Sequence, residues 1–141
     1  VAFYRWALAI ANVVSAKAYW EFVVAGASTT TYGGFGVGPC SVDTGGRPGV
    51  GTNPGCMLYW EGGEAAVWCD GTEHAVDAPA EPTRIGVGIE VMTSEVCHVV
   101  FYSSGVALNA EPFAMILEGS IVVPVVCALN ANAVFTLDDR V

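Results

Sequence analysis

The side chains in this sequence that could do chemistry are few, and little in their spacing makes them converge. His74 and His98 are the two histidines, and Cys69, Asp70, Glu73 and Cys97 lie near them in the chain. A zinc site of Cys69, His74, Cys97 and His98 would join thiolate and imidazole ligands, yet the intervals match no common zinc pattern. Cys97 and His98 cannot act together as nucleophile and base, because neighbours in a strand point to opposite faces. Cys97 with His74 is a weaker pairing than the zinc site. The glycines from Gly45 to Gly55 lack the Gly-Lys-Ser/Thr ending and the following helix that a phosphate loop requires. Asp70-Gly71 and Asp138-Asp139 offer one or two carboxylates where calcium takes about six to eight oxygens. The sequence therefore assigns no catalytic residue, no metal ligand and no cofactor, and the expectation is a protein that is not an enzyme.

The cysteines suggest structure rather than catalysis. There are five, so one at least stays unpaired within the chain. Cys40 and Cys56 bracket the glycine-rich stretch, and a disulfide between them would limit its unfolded freedom. That bond is expected in an oxidising setting, and free thiols in a reducing one. Cys97 and Cys127 sit in apolar runs and read as small core residues.

The elements that must position these groups are strands. Seventeen glycines and seven prolines punctuate runs rich in Val, Ile, Phe, Tyr and Trp, the pattern of many short strands. The spacing predicts strands over Ala18 to Val24, Phe35 to Gly38, Met57 to Trp60, Ala65 to Cys69, Arg84 to Val91, Val96 to Tyr102, Ile121 to Leu129 and Ala133 to Leu137, with no helix. Such an arrangement is a β-sandwich or barrel. Residues 39–55 read as a long loop and 71–82 as a crossing between sheets. From Arg84 to Val91, Ile85, Val87, Ile89 and Val91 share one face, while Gly86 and Gly88 leave the other bare for a neighbour's close approach. From Ile121 to Cys127 both faces are apolar. Ile121, Val123 and Val125 cannot face the same core as Val122 and Val126, so they are expected to meet a second sheet or another subunit. Pro124 suggests an edge or bulge.

At 141 residues the chain is expected to be one domain, 1–141. It is 53% hydrophobic and 13% charged, where about 25% charged is usual. A surface so poor in charge is expected to be partly covered by a neighbour. The net charge is −9, and the basic side chains Arg5, Lys17, Arg47, Arg84 and Arg140 are scattered singly, which argues against nucleic acid. No apolar run reaches the roughly 18 to 20 residues of a membrane span. The opening stretch imitates a signal peptide, but Asn12 interrupts it and it leads into strand-like sequence.

Several of these strands, in order, resemble the SPRY family. Lys17-Ala18-Tyr19-Trp20-Glu21-Phe22-Val23-Val24 is similar to its "GkyYWEv" strand, and Gly33-Gly34-Phe35-Gly36-Val37-Gly38 to its glycine-valine-glycine strand. Ile85-Gly86-Val87-Gly88-Ile89-Glu90-Val91 and Val99-Val100-Phe101-Tyr102-Ser103-Ser104-Gly105-Val106 resemble "IGVxlDld…vxFYkNG". Val123 to Leu129 resembles the closing "yPavsl". Arg84 stands where an acidic residue is common, Ser104 replaces the turn Asn, and residues 133–137 lack the Asn-Phe-Gly ending, all marks of a distant member. The resemblance implies an all-β, bent antiparallel β-sandwich and a protein that works through other proteins. Tyr19, Trp20, Phe22, Phe101 and Tyr102 read as core, and Ser103-Ser104-Gly105 as a hairpin turn.

Two functions follow from these observations. Low charge and the two-faced strand point to a self-assembling structural subunit of a virion or extracellular filament, homo-oligomeric through Ile121, Val123 and Val125. The resemblance points instead to a peptide-recognition module of a cytoplasmic adaptor, with Tyr32, Tyr59, Trp60 and Trp68 as aromatic anchors.

Overall fold

The computed structural model describes residues 2–3, 8–9, 16–25, 33–39, 46–61, 64–79, 82–117, 121–128 and 134–138. Among them run the strands β1 (Ala2–Phe3), β2 (Leu8–Ala9), β3 (Lys17–Ala25), β4 (Gly33–Pro39), β5 (Cys56–Glu61), β6 (Glu64–Cys69), β7 (Thr72–Val76), β8 (Arg84–Val91), β9 (Val96–Ser103), β10 (Val106–Ala107), β11 (Phe113–Ile116), β12 (Ile121–Ala128) and β13 (Val134–Asp138). No helix occurs among the described residues. Each strand expected from the sequence is present, with ends moved by a residue or two. The segment read as a crossing begins instead with β7, an edge strand exposed on both faces. Its Thr72-Glu73-His74 start hides it from a search for apolar alternation.

The strands form two antiparallel sheets. One has the order β1-β12-β4-β5-β6-β7, with β2 also paired to β12. The other has the order β10-β9-β8-β3-β13, with β11 also paired to β9. Two hairpins turn on left-handed residues, Asp70-Gly71 at φ 48° and 87° and Ser104-Gly105 at φ 49° and 79°. Positive φ at both central positions is the turn whose twist matches the strands it joins. The Asn109 side chain accepts from Phe101 N at 2.9 Å and donates to Glu111 O at 2.9 Å. It thereby satisfies the edge of β9 between β10 and β11.

The sheets bury one face each against the other, and Phe35 lies at the centre. Its ring stacks on Trp60 at 5.7 Å and meets Phe22 at 6.3 Å and Phe101 at 5.5 Å edge to face. Phe22 and Phe101 belong to the opposite sheet, so these contacts lock the layers together. Burying a side chain of this kind stabilises by about 1.5–3 kcal/mol before any specific ring geometry is counted.

The outer face of β12 is covered from within the chain. Val123 and Val125 pack with Met57 and Tyr59 of β5, and Val50 and Trp68 close over them. The intersubunit face expected from the sequence is thus an internal one at these two positions. Ile121 lies in β12, paired with Ala9. Pro124 falls between the residues of β12 that pair with β1 and those that pair with β2, where the ladder spares its missing donor.

The covering loop, 46–55, is held by hydrogen bonds. Tyr59 Oη donates to Pro48 O at 2.7 Å, Gly71 N to Gly49 O at 2.7 Å and Gly49 N to Asn53 O at 3.0 Å. Gly49, at φ 81°, also brings its Cα so close to β6 that a Cβ would lie 2.4 Å from Trp68 O. Val125→Asp, which places a carboxylate at a site with 0% exposure, is expected to cost several kcal/mol of folding stability in urea denaturation, since nothing there solvates the charge. A variant that keeps its unfolding midpoint and changes only its sedimentation would return this face to an intersubunit role.

Candidate functional site

The outer faces of the two sheets differ, and the difference creates a site. One is sealed by loop 46–55, with Arg47 lying over the Tyr59 ring at 4.6 Å. The other, formed by β3, β8 and β9, is open at its middle because β8 contributes Gly86 and Gly88 there. The register sets Tyr19 opposite Gly88 on one side, with Tyr102 opposite Gly86 and Val100 opposite Gly88 on the other. The tyrosines lean over the vacant positions. A Cβ at Gly86 would lie 2.2 Å from Tyr19 Oη, and one at Gly88 would lie 3.4 Å from Tyr102 and 3.6 Å from Tyr19. The two rings meet edge to face at 5.4 Å and 81°.

A polar network fixes Tyr19. Its hydroxyl donates to Glu21 Oε2 at 2.8 Å, and Arg84 Nη1 donates to Glu21 Oε1 and, at 2.6 Å, to Asp138 Oδ2. Arg84 therefore ties β8 to β3 and β13. Burial, reinforced by the Glu21 carboxylate, pushes the Tyr19 phenol well above its ordinary range, so it stays a donor at neutral pH. The hydrogen bonds to Asp138 and then Glu21 hold the Arg84 guanidinium more firmly protonated.

Beside this network lies a cavity of about 450 Å³, a volume within the range of ligand sites. Tyr19, Gly88 and Tyr102 form its walls and floor, and Lys17, Glu90 and His98 its polar rim. Lys17 and His98 both stand opposite Glu90 in register, with Lys17 Nζ 3.9 Å from its carboxylate. The arrangement can grip an apolar or extended segment between aromatic walls while a carboxylate and an imidazole face its polar groups.

The residues expected from the sequence fall elsewhere. Tyr32 and Cys40 lie outside the described residues. Tyr59 and Trp60 are 2% and 6% exposed. The first serves the covered outer cluster and the second stacks in the main core, so neither is a surface anchor. Trp68 is half-buried over the outer cluster of the sealed sheet. Cys56 points into the main core as a free thiol, opposite Cys69. Cys69 and Cys97 are core residues of different sheets, His74 is exposed against Phe113 at 4.9 Å, and His98 faces the open groove. Among the described residues no group of three or more His, Cys, Asp or Glu is placed to hold a metal. Tyr19 and Tyr102, expected in the core with their neighbours, instead lie half-buried along the groove. The period of two already placed them apart from Trp20, Phe22 and Phe101, on the face that the glycines leave bare.

Comparison of the whole architecture with solved structures gives a consistent answer. The crystal structure of the TRIM65 PSpry domain superposes with a TM-score of 0.62 at 16% identity, over 90% of this chain and 66% of that one. A human SPRY domain gives 0.59 at 16% identity, covering 84% and 74% of the two chains. The fold is that of a SPRY domain. The SPRY domain of human HERC1 agrees, at 0.55 and 12% identity over 92% and 79%. No protein-family model and no curated protein matches the sequence. The chain spans just under two thirds of the TRIM65 structure. Within this SPRY sandwich the sheet carrying the groove contains the strands that resemble "YWE", "IGV" and "FY".

The glycines of β8 differ in a testable way. Gly86→Ala must expel the Tyr19 ring and break its bond to Glu21, at an expected cost of about 1–3 kcal/mol. Gly88→Ala makes only ordinary contact with the rings and is expected to stay within about 0.5 kcal/mol of the parent. Equal effects in chemical denaturation would contradict the seating of Tyr19.

Proposed function

We propose that this chain is a protein-recognition domain, without catalytic chemistry of its own, that takes up an extended basic segment of a partner protein in the Tyr19–Tyr102 groove. The observation that carries this reading is the asymmetry of the outer faces. One is sealed by the chain's own loop, and the other leaves half-buried aromatic walls over a glycine floor. Aromatic side chains with a polar tip are favoured anchors for a partner. The SPRY fold, as a scaffold known for interaction modules, accords with the same reading, although fold alone does not fix a function.

Charge gives the partner its sign. Among the described residues, the Lys17 and Arg84 cations on this face stand beside carboxylates, and Glu21, Glu90 and Asp138 outnumber them. The chain as a whole carries −9, a field that steers positively charged partners and repels acidic ones. Self-assembly as a virion or filament subunit has less support, because Val123 and Val125, two of its three expected contacts, are covered from within.

Selection from a random peptide library displayed on phage tests the proposal. Enriched peptides are expected to be net positive. Glu90→Lys and Tyr102→Ala should each weaken them by about tenfold or more, equivalent to about 1.4 kcal/mol, while Glu73→Ala on the other sheet should not. Unfolding midpoints measured alongside separate lost binding from lost structure. Enrichment of acidic peptides, or binding indifferent to both groove variants, would refute it.

A further inference from the structure

Cys56 and Cys69 face each other across β5 and β6, and the phase of the ladder decides what they can do. Asp70 N donates to Gly55 O at 3.0 Å, which marks the Gly55/Asp70 level as a hydrogen-bonded one. The next level, Cys56/Cys69, is therefore non-hydrogen-bonded, where opposed Cα atoms approach to about 4.5 Å and side chains come closest. That separation lies within the range of about 4.4–6.8 Å that a disulfide spans. Both thiols point to the same inner face.

Their access to solvent is unequal. Cys56 is 0% exposed, whereas Cys69, at 5%, lines a cavity of about 410 Å³ between the β6–β7 turn and β11. Asp70, Thr72, His74 and Phe113 share that lining. Cys69 Sγ donates to Ala114 O at 3.4 Å. Cys97 stands on β9 of the opposite sheet, fully buried.

We propose that Cys69 and Cys56 form an oxidisable dithiol, in which Cys69 attacks a small peroxide that enters the β6–β11 cavity and Cys56 resolves the product as an intrachain disulfide. In the first step the Cys69 sulfur attacks one peroxide oxygen. The S–O bond forms, the O–O bond breaks, and the leaving hydroxide takes up the thiol's proton as water. In the second step Cys56 sulfur attacks Cys69 sulfur. The S–S bond forms, the S–O bond breaks, and the hydroxyl leaves with the Cys56 proton as a second water. The two thiols give up two electrons and one peroxide accepts them. Burial, with the hydrogen bond to Cys69, holds the Cys56 thiol protonated until then, and burial pushes Cys97 up to about 12, which keeps it inert.

The change reaches the edge of the sandwich. Two bonds tie the β6–β7 turn to β11, the Cys69 thiol on Ala114 O and Ile116 N on Asp70 Oδ2 at 2.7 Å. Oxidation removes the first, because the sulfur no longer carries a proton.

Treatment of the reduced protein with hydrogen peroxide, alkylation under denaturing conditions and digestion after glutamate test this, since cleavage at Glu61 or Glu64 parts the two cysteines. The expected product is one linked pair of peptides carrying Cys56 and Cys69, two hydrogens lighter than the reduced pair and separated by reductant. Cys56→Ser is expected to leave a sulfenic acid on Cys69 that dimedone traps, and Cys97→Ala is expected to change nothing. A linkage from Cys69 to Cys97 or from Cys40 to Cys56 would overturn the proposal. So would full alkylation of both thiols in the wild-type protein after peroxide.

Discussion

The structure depends on aromatic rings occupying the space that glycines leave empty. On β4 the alternation Gly34-Phe35-Gly36 sends Phe35 inward, between Trp60 and the rings of Phe22 and Phe101. Its two glycine neighbours admit other groups on the outer side. A Cβ at Gly34 would lie 2.5 Å from the Tyr59 ring, and one at Gly36 would lie 2.1 Å from Cys56 O. Sheets pair and stack at nearly fixed spacings, so a ring that lies flat on its own sheet needs a strand without side chains beneath it. Gly86 serves Tyr19 on the opposite sheet in the same way. Close packing makes such positions intolerant of even one added carbon.

The same device gives different outcomes on the two outer faces. Over Gly34 and Gly36 the tyrosine and methionine of β5 are themselves covered, because Tyr59 holds Pro48 O and Val50 closes the patch. Over Gly86 and Gly88 nothing in the described chain performs that covering, and Tyr19 is anchored sideways by Glu21, Arg84 and Asp138. A rigid, half-wet aromatic pair results. Rigidity matters for recognition because groups already held in place lose little freedom when a partner arrives.

Much of the fold was legible in the sequence, because period-two alternation and β-branched runs report burial directly. Arg84–Val91 was bounded correctly, and its bare glycine face was visible as an invitation to a neighbour's side chain. The identity of that neighbour was not, since pairing Tyr19 with Gly88 requires a register between strands far apart in sequence. Local signals misled at two places. The apolar outer face of β12 pointed to a second sheet or another subunit, whereas a glycine-rich loop with little apolar area of its own brings Val50, and Met57, Tyr59 and Trp68 come from strands of the same sheet. Tyr59 and Trp60 have the composition of anchors, yet β5 is an interior strand whose both faces are covered. The polar edge strand β7 escaped notice because exposure on both faces leaves no hydrophobic period to detect.

The central claim is that the open tyrosine–glycine face, rather than the loop-covered face, meets the partner. Nuclear magnetic resonance of the ¹⁵N-labelled protein, titrated with a basic peptide that binds it, tests this residue by residue. The account predicts that the largest amide shifts cluster at Tyr19, Gly88, Glu90, His98 and Tyr102, and that Arg47, Val50 and Trp68 stay unmoved. Shifts centred on the 46–55 loop and Trp68, with the β8 glycines unchanged, would contradict it.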